Sequence, residues 1–144
     1  MKKPTALVTG GCGFVGRRFV RWLWQHDYDV TVVDDLSTGL APDAWPQHLR
    51  GAEMTFHRAD FRDYAKEVKP DFDLIVHLAA VVGGRLTIEG DPLAVATDLA
   101  IDATFFNWVV KEPPMPRKVL YFSSSAAYPI GNRRRRTTNL CTKQ

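Results

Sequence analysis

The 144-residue chain is poor in cysteine, in long apolar runs and, over its last fourteen residues, in acid. Its two cysteines, Cys12 in a glycine-rich turn and Cys141 near the end, give neither a disulfide framework nor a metal-ligand spacing. No metal site is expected, and a reducing cytoplasm is the simplest home. The most apolar stretch, Leu74 to Val82, is nine residues long and contains His77, far short of a membrane span. Gly10, Gly11, Gly13 and Gly16 interrupt the opening segment before a signal-peptide core can form. Neither a membrane address nor an export signal is predicted.

What is present reads as a folded domain. Apolar residues are 45% and charged residues 24% of the sequence, close to the average for globular proteins and far from the signature of disorder. The formal charge of +3 is unevenly spread. Five basic residues, Arg133 to Arg136 and Lys143, lie after Ile130 in a stretch without acid, so the preceding 130 residues hold fourteen bases against sixteen acids. The division predicted is a domain over 1–130 and a basic, disordered tail over 131–144. A nucleic-acid or anionic-surface patch is the less favoured reading of the arginines.

Strand and helix patterns alternate along the domain. Thr5 to Gly10 is a short apolar run ending at glycine, and Phe14 to His26 carries Val15, Phe19, Trp22 and Leu23 at helical spacing. Asp29 to Asp34 is β-branched and reads as a second strand, followed by a polar loop to about Pro46. Glu53 to Arg58 predicts a third, edge strand, Phe61 to Val68 a short helix ended by Pro70, and Asp73 to Leu78 a fourth strand. Asp91 caps a long helix with Pro92 at its first position, and Leu93, Ala96, Leu99, Ala103, Phe106 and Val110 trace its expected buried stripe. Pro113, Pro114 and Pro116 stop it, and Arg117 to Phe122 makes a fifth strand. The expected fold is α/β: a Rossmann-like, doubly wound parallel sheet of about five strands in the order 3-2-1-4-5.

Gly10-x-x-Gly13-x-x-Gly16 falls between the first strand and first helix, where a helix N-terminus can receive a diphosphate. Gly10 permits the tight turn, Gly13 close approach of backbone to phosphate, and Gly16 close packing of helix on strand. An ordinary tight turn would look the same without its context. That context is Asp34, which closes the second strand near the offset expected for the carboxylate that holds the adenosine ribose. Asp34 with its neighbour Asp35 repels a 2′-phosphate, so NAD is preferred to NADP; a solvated strand-end acid is the alternative.

TGGCGFVG, VVDDLSTG, ADFRD, HLAA and VLYFSSSAAY resemble, in order, the motifs of the extended short-chain dehydrogenase/reductases, the NAD-dependent epimerase/dehydratase family. The resemblance covers about residues 5–128, the N-terminal half of that family's pattern. It implies NAD binding by the glycine turn, with Phe14 and Val15 in it, by Asp34 on the ribose, and by Asp35 and Leu36 beside it. It puts Asp60 on the adenine amino group and the backbone of Phe61 beside the ring; a plain N-cap role for Asp60 can hold at the same time. Leu78, Ala79 and Ala80 look like the family's small-residue strand end under the cofactor. Ser125 matches the serine that hydrogen-bonds the reacting sugar hydroxyl, with Ser123 and Ser124 nearer the nicotinamide, though a serine-rich turn is the bland alternative. Asp98 and Leu99 stand where the family usually has asparagine. Gly83, Gly84 and Arg85 form a turn that could approach substrate phosphates or simply lie in solvent.

The resemblance also implies a catalytic Tyr-x-x-x-Lys, whose lysine lowers the tyrosine pKa so that it can take a proton from a sugar hydroxyl. Four residues after Tyr128 stands Asn132, and no such pair exists in the chain. The expectation is an NAD-binding part of a nucleotide-sugar epimerase or dehydratase, truncated or frame-shifted and incomplete as it stands. A non-catalytic NAD-binding or sensing module is the alternative. A nucleotide sugar is the expected substrate if a C-terminal half completes the site, nucleic acid is an unlikely partner, and the chain is expected to self-associate through an exposed sheet edge or the long helix.

Overall fold

The computed structural model describes residues 2–81 and 90–123. The elements are β1 (Thr5–Thr9), α1 (Gly16–Gln25), β2 (Asp29–Asp34), β3 (Thr55–Arg58), α2 (Phe61–Glu67), β4 (Leu74–His77), α3 (Pro92–Lys111) and β5 (Val119–Tyr121). They form one five-stranded sheet in the order β3-β2-β1-β4-β5, with every pair parallel. This is the predicted order, and each element falls within a residue or two of its expected bounds.

Because strand side chains alternate between faces, the sheet supports two cores. On one face Ala6, Val8, Val30, Val32 and Val76 pack with Val20 and Leu23 of α1 and with Trp45 and Leu49. On the other, Leu7, Val33 and Ile75 meet Phe61 and Tyr64 of α2 and Phe105, Trp108 and Val109 of α3. Near-continuous apolar strands are what a parallel sheet covered on both sides requires. Trp45 was not foreseen as core. It sits between two short 3-10 turns, Pro42–Ala44 and Gln47–Leu49, and its indole N–H donates to the Leu40 carbonyl at 2.8 Å, so the polar loop after β2 carries its own apolar plug.

Two helix faces differ from the expected pattern. In α1 the buried apolar residues are Val20 and Leu23, whereas Trp22 lies half exposed and stacks on His26 at 3.9 Å. In α3 the expected stripe faces outward: Leu93, Leu99 and Val110 are 78%, 65% and 68% exposed. The packed side chains are Phe105, Trp108 and Val109, because the larger aromatic surface fills the space over β1 and β4, and Trp108 also donates to the Val68 carbonyl at 2.7 Å. Apolar residues therefore surround α3. By length and composition alone it would suffice to cross a membrane, although polar residues break its apolar positions into short runs. Its start is as predicted: the Asp91 carboxylate accepts from the backbone N–H groups of Leu93 and Ala94 at 3.1 Å each.

β3 is an edge strand as expected, and so is β5 among the described residues, with Val119, Leu120 and Tyr121 all exposed. The turn at Gly83 to Arg85, Ser124 and Ser125, Tyr128 and the tail over 131–144 lie outside the described residues.

Candidate functional site

Register sets the site. Thr9 of β1 lies opposite Val33 of β2 and His77 of β4, so the chain leaves the sheet side by side as Gly10, Asp34 and Leu78. At these carboxyl ends opens a cleft of about 390 Å³, within the usual range for ligand sites. Its walls include Gly10, Gly13, Asp34, Asp35, Asp60, Phe61 and Leu78 to Ala80.

The glycine turn is built by close backbone contact. Gly10 adopts φ +66°, and a Cβ there would lie 2.7 Å from the backbone of Leu78 and Ala79. A Cβ on Gly16 would lie 2.3 Å from the Gly10 carbonyl oxygen, so helix and turn can approach only with hydrogen in that place. No side chain caps α1 and its first turn holds no acid, which leaves the positive end of the helix dipole to an anion in the cleft.

Asp34 is buried at the tip of β2 and fixes the cleft from the opposite wall. One carboxylate oxygen accepts the Cys12 backbone N–H at 2.9 Å, and the other accepts that of Leu36 at 2.8 Å. The second bond holds Leu36 at φ +63°, a left-handed conformation that a branched side chain seldom adopts and that clusters at functional sites. Burial, and then the adjacent Asp34 carboxylate, push the Cys12 thiol up to about 12, so it stays protonated.

Asp60 caps α2, accepting the Arg62 backbone N–H at 2.7 Å. The Arg62 guanidinium grips the same carboxylate, Nε on Oδ1 at 3.0 Å and Nη2 on Oδ2 at 2.6 Å. The hydrogen bond from Arg62, ahead of its charge, lowers the Asp60 pKa below the usual carboxylate value. Both helix capping and cleft lining, foreseen as compatible, occur together.

Beneath the cleft runs a polar chain the sequence did not announce. The Thr9 hydroxyl accepts the backbone N–H groups of Leu78 and Ala79, both at 3.2 Å, so its single hydrogen is directed to Nδ1 of His77 at 2.7 Å. The neutral ring then carries its proton on Nε2, 3.6 Å from an Asp102 carboxylate oxygen, while the Tyr121 hydroxyl donates to the other oxygen at 2.6 Å. Burial outweighs the attraction of Asp102 and pushes the His77 pKa down to about 4.

Of the candidate cofactor residues, Gly10, Gly13, Asp34, Asp35, Asp60, Phe61, Leu78, Ala79 and Ala80 come together in the cleft. Phe14 and Val15 do not: both are exposed, and Phe14 is packed under the Arg18 guanidinium at 3.9 Å. Gly16 and Leu36 shape the turns behind the wall instead of lining it. Ser123 is exposed past β5 and outside the lining, and Ser125 lies beyond the described residues. Thr97 and Ile101 of α3 also line the cleft, and the Asp98 carboxylate accepts the Val81 backbone N–H at 2.8 Å. Nothing in the spacing of α3 marked these positions, because its outward apolar stripe dominates the pattern.

A parallel sheet ordered β3-β2-β1-β4-β5, a glycine turn opening a helix and an acid ending the second strand define a dinucleotide-binding α/β domain. The chain belongs to the NAD dependent epimerase/dehydratase family, whose model matches residues 6–143 and so continues past Tyr128, where the resemblance was expected to stop. NAD is the cofactor of that family, as expected from Asp34. The chain is 32% identical over 93 residues to UDP-glucose 4-epimerase of Drosophila melanogaster, a match covering 56% of this chain and 26% of that protein. It is 40% identical over 76 residues to UDP-glucose 4-epimerase of Corynebacterium glutamicum, covering 51% of this chain and 21% of that one. Among solved structures, a UDP-galactose 4-epimerase superposes with a TM-score of 0.67 at 28% identity, covering 86% of this chain and 39% of the other. The UDP-glucose 4-epimerase of Thermus thermophilus in complex with NAD superposes with a TM-score of 0.57 at 26% identity, covering 72% and 32%. The chain thus spans well under two thirds of the length of each of these relatives.

Proposed function

We propose that the chain is the NAD-holding part of a nucleotide-sugar epimerase or dehydratase. One observation carries this: Gly10 and Gly13 of the turn that leads into the uncapped α1, the Asp34 carboxylate and the small-residue end of β4 converge on a single cleft. The backbone of the glycine turn and the positive end of the α1 dipole receive the diphosphate without a charged side chain. Asp34 spends one lone pair of each oxygen on Cys12 and Leu36, and its remaining lone pairs accept the adenosine ribose hydroxyls. Phe14 and Val15 act through the backbone of the turn, Ala79 and Ala80 let the dinucleotide lie against the strand end, and Asp60 and Phe61 border the adenine.

Bound NAD supplies the hydride acceptor for oxidation at a sugar hydroxyl carbon. By resemblance to the family, Ser125 is the residue assigned to hydrogen-bond that hydroxyl, and Ser123 is assigned nearer the nicotinamide. No tyrosine in the chain stands four residues before a lysine, so these residues alone hold no base of the Tyr-x-x-x-Lys kind. The chain by itself therefore binds NAD without turning over a nucleotide sugar.

Titration calorimetry with NAD and NADP, on the full chain and on Asp34→Ala, tests the cofactor assignment. NAD is expected to bind, NADP at least about tenfold more weakly because of Asp34 and Asp35, and the variant weakly or not at all. Equal affinity for NAD and NADP, or undiminished binding by the variant, refutes it. A second reading is a non-catalytic NAD-binding module. That reading prevails if a C-terminal half supplied by a UDP-glucose 4-epimerase assembles with the NAD-loaded chain and still gives no turnover of UDP-glucose.

A further inference from the structure

We infer that Arg62 is a positioning residue for base recognition: it locks the Asp60 carboxylate so that a single acceptor position faces the cleft, selecting an adenine amino group over a carbonyl. This rests on NAD occupying the cleft as proposed above. A carboxylate offers about four lone-pair positions. On Asp60, Oδ1 takes the Arg62 backbone N–H at 2.7 Å and Nε at 3.0 Å, and Oδ2 takes Nη2 at 2.6 Å. Nε also reaches Oδ2 at 3.2 Å, which closes the fork and fixes the plane of the carboxylate. Nε has a single hydrogen, so its two contacts share one donor; counted once, at the shorter contact on Oδ1, it leaves one position over on Oδ2.

Both residues line the cleft, beside Asp35 and Phe61. Asp60 is only partly buried, so without the fork its carboxylate could turn to solvent and present either oxygen or a hydrated edge. The fork removes that freedom and keeps the group ionised, hence acceptor-only. An N–H donor is accepted at the remaining position, and a carbonyl oxygen there meets two fixed negative oxygens. Lysine cannot replace this arrangement, because an ammonium is a point donor without the planar fork. The sequence offers the pattern in Ala59-Asp60-Phe61-Arg62-Asp63, but only the fold shows that Arg62 turns back onto Asp60 instead of pairing with Asp63, which is taken by Lys66 at 2.7 Å.

The test compares binding of NAD with that of nicotinamide hypoxanthine dinucleotide, in which a carbonyl replaces the adenine amino group. Calorimetry is run on the full chain and on Arg62→Ala, Arg62→Lys and Asp60→Asn, each first checked for an unchanged far-UV spectrum. The wild type is expected to prefer NAD by about tenfold, the worth of one good hydrogen bond to a charged group. The preference should fall to about twofold or less in Arg62→Ala, stay intermediate in Arg62→Lys, and vanish or invert in Asp60→Asn, whose amide can donate to a carbonyl. If Arg62→Ala weakens both dinucleotides equally and keeps the ratio, Arg62 acts only through fold or charge and the inference is overturned. If NAD binds the wild type without preference over the analogue, the inference falls while the cofactor assignment stands. If NAD does not bind the wild type at all, both fall.

Discussion

Replacing Asp34 by asparagine keeps the shape of the side chain and removes half its acceptors. In the native chain the two carboxylate oxygens take N–H groups from both sides, Cys12 at 2.9 Å and Leu36 at 2.8 Å. An amide has one oxygen, so Asp34→Asn keeps one of these bonds in neutral form and turns an NH₂ donor toward the other N–H. A hydrogen bond to a charged group contributes about 1.5–3 kcal/mol, and a buried donor facing a donor costs about as much again. The loss expected is therefore about 3–6 kcal/mol, with the left-handed Leu36 released from the bond that holds it. For a chain of this size that corresponds to a fall in Tm of about 9–18 °C, read by far-UV circular dichroism. Asp35→Asn is the control, since Asp35 lies on the surface and among the described residues accepts only the Ser37 backbone N–H at 2.8 Å; its Tm should move by less than about 2 °C. Saturating NAD should raise the wild-type Tm by mass action and leave that of Asp34→Asn nearly unchanged. Equal melting of the two variants, or an Asp34→Asn Tm within about 2 °C of wild type, would refute the buried-acceptor argument.

Two further outcomes follow from the other buried groups and the open edge. Because burial holds His77 at about 4 in the folded chain, below its ordinary 6.5, the unfolded chain binds the proton first as pH falls. Stability should be full above about pH 6.5 and decline toward pH 4 by up to about 3 kcal/mol, at 1.36 kcal/mol per pKa unit. Urea titrations at several pH values should show this slope flattened in His77→Phe, and an unchanged slope would reject the assignment. At the sheet edge, Leu120→Lys should reduce concentration-dependent self-association in sizing chromatography, since a charge on an exposed edge strand disfavours pairing; a wild type that elutes as a monodisperse monomer at high concentration would contradict this.

The sheet was legible because its signals are local and agree with one another. Each strand is a short β-branched or apolar run ended by a turn residue, and the order follows from right-handed crossovers. The wall of the cleft was legible for the same reason, since three glycines and Asp34 do their work through the backbone at fixed offsets. The face of α3 was not. Apolar residues surround that helix, so periodicity alone could not say which side meets the sheet, and the aromatic Phe105 and Trp108 won the core by volume over Leu99 and Val110. Arg62 and Thr97 were missed because their place in the cleft depends on how α2 and α3 pack over β1 and β4, a tertiary fact without a sequence period.

His77 shows how a residue can be read correctly as strand while its task stays hidden. The Thr9 hydroxyl can accept from Leu78 and Ala79 only by giving its hydrogen away, and the neutral His77 ring is the acceptor that takes it. Burial favours that neutral form, so the same desolvation that makes an ionised histidine costly here keeps Thr9 in the orientation the strand end requires. Asp102 then stands between the Nε2 proton of His77 and the Tyr121 hydroxyl, which ties α3 to both β4 and β5. The hydrogen bonds from Thr9 to His77, Leu78 and Ala79 hold the strand end at the cleft, Tyr121 to Asp102 ties β5 to α3, and between them His77 faces Asp102 across 3.6 Å while its ring stacks on Phe105 at 3.8 Å, so its loss would reach both the strand end and the aromatic core.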